Sequence, residues 1–320
     1  MSGEVEPASE LTPELRAFVE FVAKKGRELY RDLPWRRMYD PYAIWISEVM
    51  LQQTQVSRVD GRWQRWLERF PTVDALAAAA PSDVLEEWQG LGYNRRALSV
   101  HRAAQAISEA GGIFPQDSKE LVKLPGIGPA TAAGIRAFAF NLHGVYLETN
   151  VRTVFLHELY PQAEGVPDSE LVPLVELTCP ASVEDAGNVA NADSAANVVN
   201  ADGAASDATA ELTPRSWYYA LLDYGAYLKK TIPNPSRRSK SHVKQSRFEG
   251  SHRQKRAELL RVLLAHKDEG GAAFETLHQE LCQIEVNAGR ETLDEQVTLG
   301  LLEELAKEGF CQKNDEYWLP

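Results

Sequence analysis

Cysteine is scarce in this chain. Its 320 residues hold three, Cys179, Cys282 and Cys311, with no CxxC pair and no set of four, a pattern that does not support a zinc or iron–sulfur site. Long apolar runs are missing too, so no membrane span is expected. The N-terminal MSGEVEPASELTPEL is acidic and lacks the apolar stretch of a signal peptide, and a soluble cytoplasmic protein is the expectation. Strand signals are nearly absent before Phe310, which points to an all-α chain.

What is present is a globular composition, 44% hydrophobic, with a formal net charge of −12 spread unevenly. Between Cys179 and Thr213 lie six acidic residues and no Lys or Arg; from Lys229 to Arg256 there are ten Lys or Arg against one acid, Glu249. An acidic protein with a local basic stripe suits reversible contact with nucleic acid, and a solvated linker has the same composition.

Helical periodicity dominates. Val56, Val59, Trp63, Trp66, Leu67 and Phe70 form one stripe, read as core, and helix starts are marked at Thr12-Pro13, Pro81-Ser82 and Ser118. Residues 179–213 are Ala, Asn, Asp, Ser and Val without an aromatic, and read as a disordered insertion in a helical region that resumes at Ser216. From Ser251 three amphipathic helices lead to FCQKNDEYWLP, two short strands around Asn314-Asp315, the outline of a winged helix. The expected division is a terminal helical lobe of residues 1–35 and 145–240, a six-helix lobe of 36–144 with a hairpin at 124–135, and a winged-helix-like domain of 251–320.

Three elements carry chemistry. LPGIGPATAAGIRAF, Leu124 to Phe138, is a glycine hairpin opening into a small-residue helix. Gly126 and Gly128 permit a tight turn and close approach, and the helix start over Ile127 to Thr131 offers amides to an anion such as a DNA phosphate. An ordinary helix start looks the same. Glu48 lies among Ile44, Trp45, Ile46, Val49, Met50 and Leu51, a setting that raises a carboxyl pKa and suits a general acid, unless the side chain takes the polar face of its helix. Glu148 opens the helix beginning near Asn150, where a carboxylate also serves as a plain cap. Two separated carboxyls match the cleavage of a glycosidic bond, one protonating the leaving group and one stabilising a sugar cation.

WISEVMLQQTQV, GLGYNRR and the hairpin together resemble the helix-hairpin-helix DNA glycosylases, most closely the MutY-type adenine glycosylases, from about Leu33 to Leu156 and more weakly from Tyr218 to Lys230. The resemblance implies a two-lobed all-α fold with the winged-helix-like tail appended. It makes Glu48 the acid and Glu148 the sugar-stabilising group, with Asn150 and Tyr93 positioning a flipped nucleotide. Gln53 becomes a wedge in the base stack, Thr54, Gly92 and Tyr93 neighbours of the opposing strand, and Gly126, Ile127, Gly128 and Thr131 the phosphate clamp. The implied partner is double-stranded DNA bearing a mismatch or lesion, acted on by a monomer without a membrane.

Three departures stand out. Glu148 replaces the family's usual Asp, moving the carboxylate by roughly 1.5 Å. KKTIPNPSRRSKSHVKQS stands where a four-cysteine iron–sulfur loop is usual, so no cofactor is expected, and the usual lesion-inspecting C-terminal domain is replaced by the tail. Ala130 occupies the position of the lysine of glycosylases that also cut the backbone. The expected activity is monofunctional removal of a mispaired base, adenine opposite G or 8-oxoguanine. The alternatives are another base (hypoxanthine, uracil or mismatched thymine) or DNA binding without catalysis on the same scaffold.

Overall fold

A computed structural model describes residues 11–182, 212–242 and 247–320. Among them run fifteen α-helices, numbered α1 to α15 in chain order, and one small sheet. The chain divides into two compact units, one of Met1–Glu48, Pro115–Lys123 and Ile127–Val243, the other of Val49–Phe114, Leu124–Gly126 and Lys244–Pro320. No helix among the described residues is long and apolar enough to cross a membrane.

The first unit is built on α1 (Pro13–Glu28), α10 (Thr149–Glu158) and α12 (Pro214–Thr231), which pack together. α1 starts where the sequence indicates: the Thr12 hydroxyl accepts from the Leu15 amide and Pro13 fills a position that needs no N–H. Its buried face, Leu15, Phe18 and Val22, sets Phe18 edge-on to Phe155 at 5.1 Å and to Trp217 at 6.1 Å. α8 (Ser118–Leu121) begins at the marked Ser118 but lasts one turn, because Pro125 follows closely and disfavours helix before it. α9 (Pro129–Phe140) is the small-residue helix that the glycine hairpin opens into. α11 (Asp168–Thr178) ends at Cys179, which is buried and belongs to the fold. The insertion expected over 179–213 otherwise falls on residues 183–211, outside the described residues.

A buried ion cluster pins α12. The side chain of Asp223 has no solvent exposure and accepts from the equally buried Arg36 at 2.7 and 2.8 Å, from Arg31 Nε at 2.5 Å and from the Arg31 amide at 3.2 Å. Both carboxylate oxygens are thus satisfied, the condition under which a buried charge is tolerated.

In the second unit the stripe from Val56 to Phe70 folds as two helices, α3 (Val56–Val59) and α4 (Arg62–Arg69). The break falls at Gly61, whose φ of +78° suits glycine. Trp63, Trp66 and Phe70 are core as expected, with Trp66 edge-on to Trp88 at 5.5 Å. α5 (Val73–Ala78) packs on α7 (Arg95–Glu109), and α6 (Pro81–Glu87) begins at the marked proline.

The tail joins this unit. α13 (His252–Ala265), α14 (Phe274–Asn287) and α15 (Glu295–Glu308) are followed by the hairpin of β2 (Gln312–Asn314) and β3 (Tyr317–Leu319), at the expected place. A third strand, β1 (Ala272–Ala273), completes an antiparallel sheet of order β1-β3-β2, the winged-helix arrangement. Lys267 pairs with Asp83 at 2.6 Å and Glu86 at 2.8 Å on α6, and Glu308 pairs with Arg95 at 2.6 Å and Arg256 at 2.8 Å. These two arginines hold the Glu308 carboxyl down at about 2.

Asp223→Ala leaves two guanidinium groups without their anion, one of them buried. It should destabilise the protein by about 3–5 kcal/mol in denaturant unfolding, whereas Asp32→Ala, on an exposed pair, should leave the unfolding midpoint nearly unchanged.

Candidate active site and nucleic-acid interface

Glu48 sits near the end of α2 (Pro41–Leu51), a helix so apolar that its walls are Ile44, Trp45, Val49 and Met50. Its carboxyl is enclosed by protein while the side chain keeps some exposed surface. Burial pushes the pKa up to about 7; the Tyr146 hydroxyl, donating to Oε2 at 2.8 Å, pulls the other way, and the charge of Glu148 adds to the rise.

Space for this pair exists because residue 134 is glycine. A Cβ there would lie 2.5 Å from Glu48 Oε2 and 2.9 Å from Tyr146 Cε2. The Tyr146 ring is fixed edge-on against Phe138 at 5.2 Å and Tyr218 at 5.3 Å, and its amide donates to the Tyr218 hydroxyl at 3.1 Å. Tyr218 in turn donates to the Gly144 carbonyl.

Glu148 does cap α10: its Oε1 accepts from the Asn150 amide at 2.6 Å and the Val151 amide at 3.1 Å. Burial raises its pKa, opposed first by the charge of Lys229 and then by these amides. α12 lies tight against this turn, since a Cβ on Gly225 would collide with the Asn150 carbonyl. Lys229, one helical turn beyond Gly225, therefore falls on the same side of α12. The buried Asn150 Oδ1 has no hydrogen-bond partner among the described residues. Of the two carboxyls Glu148 has the richer set of positive partners, Lys229 and two amides, whereas Glu48 has the Tyr146 hydroxyl and the charge of Arg36. Glu48, Glu148 and Asn150 are thus brought together within the first unit, with Tyr146 as a member that the sequence reading missed. In GVYLETN it reads as one apolar residue among several.

In the second unit one guanidinium organises the residues expected to meet DNA. Arg96, on the first turn of α7, donates through Nη1 to the carbonyls of Val49 and Gln52, both at 2.6 Å. Its Nη2 reaches Thr54 Oγ1 at 3.3 Å, the Leu91 carbonyl at 3.2 Å and the Gly92 carbonyl at 3.0 Å. Burial pulls its pKa to about 10, so it stays charged at neutral pH. The two turns it ties together each carry a non-glycine residue in the left-handed region, Gln53 at φ +55° and Tyr93 at φ +51°. Such a backbone costs roughly 1–2 kcal/mol per residue and persists only where the surroundings impose it.

In the hairpin, Gly126 has φ +77° and a Cβ there would meet the Ser99 side chain, whereas Gly128 has an ordinary φ and open space before it. Gly128 is the N-cap of α9 and makes no side-chain cap bond. Ile127 and Thr131 turn their side chains inward, so the face offered outward is backbone and small residues, with Ala130 exposed.

Residues 46–200 match the family described as HhH-GPD superfamily base excision DNA repair protein. The adenine DNA glycosylase of Mycolicibacterium smegmatis is 42% identical over 152 residues, 47% of this chain and 52% of that protein. That of Homo sapiens is 39% identical over 134 residues, 39% of this chain and 24% of that protein. The chain spans about half the length of the mycobacterial relatives it matches. A thermostable thymine-DNA glycosylase structure superposes with a TM-score of 0.53 at 20% identity, over 69% of this chain and 90% of that one, a likeness of fold.

Tyr146→Phe removes the one neutral donor on the Glu48 carboxyl. A carboxyl-labelled NMR titration should place Glu48 above its present value of about 7, and an unchanged or lowered pKa would contradict the hydrogen bond.

Proposed function

We propose that the chain, whose residues 46–200 match the HhH-GPD superfamily of base excision DNA repair proteins, is a monofunctional DNA N-glycosylase. It removes a mispaired adenine from a duplex, opposite G or 8-oxoguanine, and it works as a cytoplasmic monomer. The observation that carries this reading is a carboxyl with a pKa of about 7 held by Tyr146 beside a second carboxylate at a helix N-terminus. Relatives named adenine DNA glycosylase, at 35–42% identity in the bacterial examples, support adenine as the base.

Glu48 gives its proton to the departing purine, so that the base leaves neutral and the electrons of the glycosidic bond go with it. The deoxyribose is left as an oxocarbenium-like cation, and Glu148, anchored by two amides, supplies the opposing negative charge. The unpartnered Asn150 Oδ1 is an acceptor available to the extruded nucleotide. Thr54, Gly92 and Tyr93, held through Arg96, face the duplex together with Gln53, and the backbone of Gly126 to Thr131 takes a phosphate. Water adds to C1′ of the sugar cation and gives up a proton, and since exposed Ala130 offers no amine for a Schiff base, the product is an abasic site in an intact strand.

An iron–sulfur cluster does not fit this chain. No cysteine lies between Cys179 and Cys282. The segment after α12 is instead tied down by Arg238, which donates to the carbonyls of Tyr160 and, at 2.7 Å, Leu156. The longer arm of Glu148 favours a second reading of the same site, excision of hypoxanthine, uracil or mismatched thymine.

Single-turnover excision on labelled duplexes should cleave A·G and A·8-oxoguanine only after alkali. Cleavage confined to U·G, T·G or hypoxanthine·T would select the second reading, and no product on any duplex would sink both. The rate should be full below pH 7 and fall as pH rises through about 7, where Glu48 loses its proton. Glu48→Gln should slow excision by about 10²–10⁴-fold with the duplex still bound.

A further inference from the structure

α12 lies against the turn that Glu148 caps. A Cβ on Gly225 would stand 2.3 Å from the Asn150 carbonyl oxygen and 2.8 Å from the Asn150 Cβ, so the two backbones meet directly. An α-helix returns to the same side about every fourth residue, and four residues past Gly225 comes Lys229. It is half-buried, which disfavours its charged form. The anion acting on it is Glu148, with Arg31 opposing.

Other charged groups on the elements packed around this turn have partners of their own. Arg31 and Arg36 meet on Asp223, Arg152 pairs with Asp168 at 2.9 Å, and Glu158 accepts from the Tyr224 hydroxyl. Lys230, next along α12, is exposed. The groups that act on Glu148 from neighbouring segments are thus an anion, Glu48, a neutral phenol, Tyr146, and a cation, Lys229.

Two enclosed carboxyls that repel each other titrate as a pair, and the last proton stays on the one less well supported as an anion. The α10 amides support Glu148 through Oε1, and the full charge of Lys229 is the first influence opposing the effect of its burial. Deepening the two-carboxyl reading of the site, we propose that Lys229 is a positioning residue that assigns the proton to Glu48 by holding Glu148 ionised across the α10–α12 contact. It acts through Glu148 and takes no part in bond cleavage. Without this cation the proton would move toward Glu148. Glu48 would have less to give the base, and less negative charge would face the sugar cation.

The test is a carboxyl-labelled NMR titration of the full chain carrying Lys229→Met, which keeps an aliphatic stem and removes the charge. Glu148 should titrate about one pH unit higher than in the parent, and its distance in pKa from Glu48 should shrink. Lys229→Arg should restore the parent values, and Lys230→Met should leave both carboxyls unmoved. In single-turnover excision, the acid side of the pH–rate profile should move up with the Glu148 value. Lys229→Gln gives the same comparison should the methionine variant unfold. An unmoved Glu148, an equal shift in Lys230→Met, or a rate loss that is the same at every pH would each overturn the assignment. The expected titrations in a protein that excises no base would uphold the proton assignment and sink the glycosylase reading. Adenine excision by the parent, with Glu148 unmoved in the variant, would sink the role of Lys229 alone.

Discussion

The site depends on a contact that only glycine allows. Gly134 lets Glu48 and the Tyr146 ring press against the α9 backbone, and any larger residue would drive both away. From that closeness follow the enclosure of the carboxyl, its raised pKa and the single hydrogen bond that orients it. The two aromatic neighbours of Tyr146 leave its hydroxyl little freedom. The carboxyl is raised chiefly by packing, and the nearby anion Glu148 adds less than burial does.

Elsewhere the fold uses one device repeatedly: a guanidinium turned inward onto backbone carbonyls. Arg96 gathers two turns, Arg215 donates to the carbonyls of Phe138, Arg36 and Met38, and Arg238 holds the segment after α12 against the end of α10. Five donors in a rigid plane can satisfy several orphan carbonyls at once, which suits segments too irregular to bond among themselves. Asp223 shows the complementary case, in which the guanidiniums meet a buried carboxylate.

The parts of this architecture that could be read from the sequence are those whose chemistry is local. Glu48 stands alone in an apolar helix, Glu148 opens another, and the glycine hairpin is contiguous, so each declares itself within a few residues. The winged-helix hairpin was legible for the same reason. Arg96 was not, because its partners are carbonyls of segments up to 47 residues away and carbonyls carry no sequence signal. Asp223 gave no local sign of its role, since its partner Arg31 lies 192 residues distant. The two alanines of β1 have no strand character of their own and become a strand only by pairing with β3. The break at Gly61 was hidden because the hydrophobic spacing continues across it.

The Arg238 fastening has a consequence for renaturation. Hydrogen bonds from one guanidinium to the Leu156 and Tyr160 carbonyls form as the chain itself folds, so the segment after α12 takes its place only once α10 has closed. Its shape is written in the polypeptide, and its order is tied to that of the helix it leans on.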